Sequence, residues 1–99
     1  MGLHLSHGDD FYCAYSTWEK TVKTIEKFIV DDHTEGLDVL LGTSPDSEIS
    51  PKICRLIVQD LMMVLPNIEF EEDIQYWTMM RFIIACLDAY SKNETLEFI

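Results

Sequence analysis

Positive charge is scarce in this chain: seven Lys and Arg stand against 18 Asp and Glu in 99 residues, a formal net charge of -11 at pH 7. So negative a surface argues against direct binding to DNA, RNA or anionic lipid, because phosphate recognition needs a basic face. Any macromolecular partner is expected to be basic. Long apolar runs are also missing. None approaches the roughly 20 residues of a membrane span, and the N-terminus lacks the basic region and apolar stretch of a signal peptide. The expectation is a cytoplasmic protein that does not enter membranes. Cysteine is limited to Cys13, Cys54 and Cys86, an odd number without CxxC spacing, which indicates neither a disulfide framework nor a zinc knuckle.

Catalytic signatures are lacking too. The chain has no glycine-rich phosphate loop, no nucleophile elbow and no HExxH pair. His4, His7, Asp9, Asp10 and Cys13 are all metal-ligand types within ten residues, yet on a strand His4 and His7 point to opposite faces and nothing completes a site. Cys13 with either histidine is a pairing that any small protein offers by chance. Asp46, Ser47 and Glu48 lack the glycine and the ligand series of a calcium loop. Met1-Gly2-Leu3-His4-Leu5-Ser6 fits a myristoylation pattern, but Asp9 and Asp10 follow where a basic patch would have to support a single acyl chain. The reading is a protein that is not an enzyme, with no metal and no cofactor.

What is present is enough for one domain over residues 1–99. The apolar share of 47% is ordinary for a folded protein and too high for an acidic disordered tail. Gly2–Ser6 and Thr95–Ile99 each alternate as half-buried strands do, and the two termini are expected to pair as a small antiparallel sheet. Ser16-Thr17-Trp18-Glu19 reads as a capping box opening a helix with the inner stripe Trp18, Val22, Ile25 and Ile29, ending near Asp31. Leu37–Leu41 is an apolar patch that a third strand or one helical turn would bury, and 42–50 reads as loop. Ser50-Pro51 starts a second helix, Ser at N-cap and Pro at N1, which Pro66-Asn67 stops.

Glu72 to Tyr90 forms the longest helix. Ile74, Trp77, Met80, Ile84 and Leu87 recur at helical spacing, and Met79, Phe82, Ile83 and Cys86 widen the stripe so far that the helix is expected to be buried by its neighbours. Cys54 and Cys86 are expected in the core, and Arg81 is expected to find a carboxylate. The fold class is therefore α+β: a three-helix core around a buried C-terminal helix, with a small sheet from the termini.

Short motifs carry a resemblance. They are Met1-Gly2-Leu3 with Ser6, Tyr15-Ser16 with Trp18, Val39-Leu40-Leu41 running into an acidic loop that ends Glu48-Ile49, then Pro51 and Cys54, Phe82, Cys86 and Ala89, and Leu96-Glu97-Phe98. In these the chain resembles a loosely defined family of small uncharacterised bacterial and phage proteins. The resemblance implies a fold and a phage-like setting, not an activity.

Acids and bases are segregated along the chain. Lys20, Lys23 and Lys27 fall in the first helix, whereas 31–50 contains no Lys or Arg. Asp31, Asp32, Glu35, Asp38, Asp46 and Glu48, with Glu69, Glu71, Glu72 and Asp73, are the candidate partner-binding residues. On this reading the protein is a non-catalytic, acidic interaction protein that blocks a nucleic-acid-binding surface of a host defence or restriction protein by charge mimicry. The alternative is a helical module that homo-oligomerises, as a homodimer for example, or binds a small ligand through apolar surface.

Overall fold

Ser50 begins the most legible element. Its side chain accepts the Ile53 amide at 3.3 Å and Pro51 occupies the first turn of α3 (Pro51–Val64), where the missing N–H leaves no bond unmade. The computed structural model describes residues 2–9, 11–30 and 34–99. In order these form β1 (Gly2–His4), β2 (Tyr12–Ala14), α1 (Tyr15–Phe28), α2 (Glu35–Leu41), β3 (Glu48–Ile49), α3, α4 (Asp73–Ser91) and β4 (Leu96–Glu97), with a 3-10 turn at Leu65–Asn67. The fold is α+β. α4 packs against α3 and α1, and α2 packs on α3.

The termini do come together, through more partners than the sequence suggested. β1 pairs with β2 in an antiparallel hairpin, His4 opposite Tyr12, and β3 pairs with β4. The two ends of the chain are joined by a bridge from Leu5 to Phe98 and by backbone bonds from Ile99 N to His4 O (2.8 Å) and Ser6 N to Glu97 O (2.9 Å). β3 lies within the stretch read as loop, where pairing with β4 satisfies a backbone too short to show a period of two.

The bounds of the first helix change, and one open alternative is decided. α1 starts at Tyr15, not at a Ser16 capping box: β2 runs straight into it, and extended Ala14 stands at the N-cap position without a side-chain bond. It ends at Phe28, with Ile29 as its C-cap. Leu37–Leu41 resolves as helix, α2, capped by Thr34, whose hydroxyl accepts the Leu37 amide at 3.4 Å. At the entry to α4 a capping box does form, between Glu72 and Gln75.

Trp18 lies at the centre of the core. Its ring meets those of Phe11, Phe82 and Phe98 edge-on at 6.5, 5.1 and 5.8 Å between centroids, the geometry favoured by aromatic quadrupoles. Its indole N–H donates to the Thr43 hydroxyl at 3.4 Å. Cys54 and Cys86 are fully buried between α3 and α4. The hydrogen bond to Cys54, and then burial, push the Cys86 thiol well above the usual range.

The hairpin turn is fastened to α4 at Asp88. Its carboxylate accepts the Gly8 N–H at 3.1 Å and the Lys92 ammonium at 3.1 Å, which hold it below the usual carboxylate range. A carboxylate depressed in the folded state contributes stability above its unfolded value of about 3.9, lost as pH falls through the folded value. Asp88→Asn is therefore expected to lower the urea midpoint at pH 7, and the gap from wild type is expected to shrink by pH 3. A gap that stays constant across that range would remove the charge from the account.

Candidate interaction surface

Among the described residues, α4 has two apolar faces, of which one is buried and the other exposed. Gln75, Thr78, Met79, Phe82, Ile83, Ala85, Cys86 and Ala89 form the buried face. Of the stripe that periodicity singled out, Ile74, Trp77, Ile84 and Leu87 are 57, 60, 56 and 46% exposed, while Met80 is half-buried against the core. The helix is buried by its neighbours along Met79, Phe82, Ile83 and Cys86, as expected, but not along Ile74, Trp77, Ile84 and Leu87. The buried face is rich in small residues toward the C-terminal half, where Ala85, Cys86 and Ala89 are wholly inaccessible. Small side chains let neighbouring backbone approach closely. Gly8 illustrates this, since a Cβ there would lie 2.9 Å from the Ala85 Cα.

Buried Gln75 and Thr78 are satisfied locally. Gln75 Oε1 accepts the Glu72 amide at 3.3 Å, and the Thr78 hydroxyl donates to the Ile74 carbonyl at 2.7 Å. With these polar groups satisfied inside, the large apolar residues one position away are free to face outward. At 100° per residue, Trp77, Arg81 and Ile84 fall within about 60° of each other around the helix, with Ile74 beside them, and they make a ridge.

Alongside the ridge lies a groove of about 510 Å³ between α4 and the β2–α1 junction, lined by Tyr12, Cys13, Ala14, Thr17, Ile74, Trp77, Thr78 and Arg81. A smaller hollow of about 140 Å³, lined by Gly8, Asp9, Phe11, Arg81 and Ile84, continues it. Arg81 belongs to both. Its guanidinium donates to the Tyr12 carbonyl at 3.5 Å and lies 5.3 Å from the centroid of Phe11. Burial pushes the Cys13 thiol up to about 11, against a smaller lowering by Arg81, so the groove offers no thiolate nucleophile at neutral pH.

A second exposed patch, Phe28, Val30, Met62 and Met63, lies where α1 and α3 end. The hollow beside it, about 390 Å³, is lined in part by Thr34, which adjoins positions 31–33 outside the described residues.

The acidic residues singled out in the sequence occupy three regions. Glu35 and Asp38 are in the first turn of α2. Asp46 precedes β3, on which Glu48 stands directly opposite Glu97 of β4. Glu69, Glu71, Glu72 and Asp73 lead into α4, Glu69 and Glu71 sharing a hollow with Lys27 of α1. Asp31 and Asp32 lie outside the described residues. Of all these, Glu72 and Asp73 adjoin the apolar ridge.

Among the described residues no three His, Cys, Asp or Glu converge as a metal site, and no helix is long and apolar enough to cross a membrane. His4 lies against Tyr12, its ring tilted by 55° at 4.8 Å between centroids, and His7 bridges Ser6 and Glu94 at 2.8 and 2.9 Å. Both histidines thus have structural partners in the hairpin and the C-terminal segment. Comparisons of the chain with protein-family models, with curated proteins and with solved structures return no match.

Proposed function

We propose that this protein is a non-catalytic interaction module whose contact face is the outer ridge of α4. The observation that carries the reading is the outward placement of Ile74, Trp77, Ile84 and Leu87 along one helix. Single exposed apolar residues are ordinary, but several along one helix beside a groove have the anatomy of a docking surface. Exposed Trp and Ile at the centre with acids around them match the apolar core and polar rim of protein interfaces. The test is capture of partners from cells with wild type, Trp77→Glu and Ile84→Glu, all verified as folded by circular dichroism. A partner held by wild type and lost with both variants supports the reading. Equal capture by all three overturns it.

A second reading is favoured by one observation, the direct apposition of exposed Glu48 and Glu97 across β3 and β4. Like charges facing each other across a strand pair destabilise it, so a chain that keeps them there displays charge against its own stability. In this reading the acidic surface occupies the nucleic-acid-binding cleft of a basic host protein, in the phage-like setting that the sequence resemblance implies. Glu97→Lys is expected to stabilise the fold by about 0.5–1 kcal/mol, measured by urea denaturation. It should also weaken a partner bound by charge mimicry, and unchanged affinity would dismiss that partner mode.

A further inference from the structure

We infer that the occupant of the α4 ridge is a basic amphipathic helix, with an apolar stripe that lies along Ile74, Trp77 and Ile84 and Lys or Arg flanking it. The inference rests on the reading of that ridge as the contact face, and it adds the chemistry of the partner. Shape is the first argument. From Ile74 to Leu87 the exposed apolar residues extend about 20 Å along the helix at 1.5 Å per residue, with a groove of about 510 Å³ beside Ile74 and Trp77. A ridge of helix side chains beside a groove accepts side chains at i, i+3, i+4 and i+7 of a second helix.

Charge selects among helices. Glu72 and Asp73 stand at the N-terminal end of the ridge, and Asp9 lines the hollow at Ile84. The cation between them, Arg81, is already drawn toward the Phe11 ring and the Tyr12 carbonyl. Apolar surface with acids at its N-terminal end and beside Ile84, on a body of net charge -11, attracts cationic flanks and repels anionic ones. A second copy of the chain would bring the same acids and another -11 to the contact. Charge therefore disfavours the homodimer that apolar surface alone would allow.

The experiment uses Trp77 as its reporter, because an exposed indole shifts its emission to the blue when covered, while Trp18 is already buried. The probe is a Leu/Lys peptide of about 14 residues with Leu at i, i+3, i+4 and i+7, matched to the ridge. It is compared with a scrambled peptide of the same composition and with a Leu/Glu peptide of the same pattern. Expected is a saturable blue shift with the Leu/Lys helix alone, weakened tenfold or more by Ile84→Glu and by Asp9→Lys/Asp73→Lys, and weakened further as salt is raised. Equal binding of the scrambled peptide would reduce the effect to charge. Equal binding of the Leu/Glu peptide would remove the charge argument. Sedimentation of the protein alone as a dimer that Trp77→Glu dissociates would replace the proposed occupant with a second copy. If the Leu/Lys peptide fails to bind while cellular capture still depends on Trp77, the occupant is wrong and the contact face stands. If capture is indifferent to Trp77 and Ile84, the contact face itself falls.

Discussion

Phe82→Ala is expected to cost about 3–5 kcal/mol of folding stability, whereas Trp77→Ala, five residues earlier on the same helix, is expected to change stability by no more than about 0.5 kcal/mol. The contrast follows from where the rings lie. Phe82 is completely buried and meets the Trp18 ring at 5.1 Å and the Phe98 ring at 6.3 Å. Its removal leaves a cavity joining three elements, α1, α4 and the C-terminal segment, which cannot all move inward at once. Trp77 is 60% exposed and touches Tyr76 at 5.4 Å between centroids, so truncation mainly removes apolar surface that already faces water and gives up little burial. Urea denaturation of both variants decides the matter. Loss of more than about 2 kcal/mol in Trp77→Ala would mean that the outer face of α4 is structural, and it would remove the basis for a docking ridge.

That pair also marks where the sequence was legible and where it was not. Both residues are aromatic, both sit at helical spacing from other apolar residues, and α4 is apolar on nearly every side. Amphipathic periodicity locates a buried face only when the opposite face is polar, and here two apolar stripes lie about 160° apart, on nearly opposite sides of the helix. The signal that separates them is size and local polar satisfaction. Ala85, Cys86 and Ala89 mark where neighbours press closely, and Thr78 can return its hydroxyl to the carbonyl four residues earlier. By contrast, the start of α3 was readable outright, because Ser-Pro fixes N-cap and N1 by local chemistry alone.

Elsewhere the local signals lost to tertiary pairing. Ser16 and Glu19 have the spacing of a capping box, but the hairpin delivers the chain to α1 already extended at Ala14, so the helix begins one residue before the Ser. β2 and β3 span three and two residues, too few to show alternation, and they exist because β1 and β4 are there to pair with. The two termini do alternate, and they do meet. The acidic clusters were plain in the sequence, yet where they lie relative to apolar surface was not, and that relation distinguishes a solubilising charge from the frame of a docking site.

Gly36→Ala is expected to be as damaging as the loss of a core aromatic, against the usual sign of such a change. In a helix, Gly to Ala ordinarily stabilises by roughly 0.5–1 kcal/mol through backbone entropy. Gly36 stands in the first turn of α2 and is buried where that helix crosses α3. A Cβ there would lie 2.5 Å from Asp60 Oδ2, 2.7 Å from the Leu56 carbonyl oxygen and 2.8 Å from the Ile57 nitrogen. Two of those three atoms are helical backbone, which cannot rotate aside as a side chain can. α2 must therefore lift from α3, and lifting stretches the bond in which Gly36 N–H donates to Asp60 at 3.0 Å. Overpacking of about 1–3 kcal/mol then combines with most of a charge-assisted hydrogen bond worth about 1.5–3 kcal/mol. The two outweigh the entropic gain and leave a net loss of about 3 kcal/mol. In a domain of this size that loss lowers the melting temperature by more than about 10 °C. Asp60→Ala in the same background supplies the internal check. If loss of the hydrogen bond is part of the penalty, the two substitutions together cost less than their separate effects summed, by about 1 kcal/mol or more. A Gly36→Ala protein that melts at or above the wild-type temperature would show that α2 does not press on α3 as closely as these distances require.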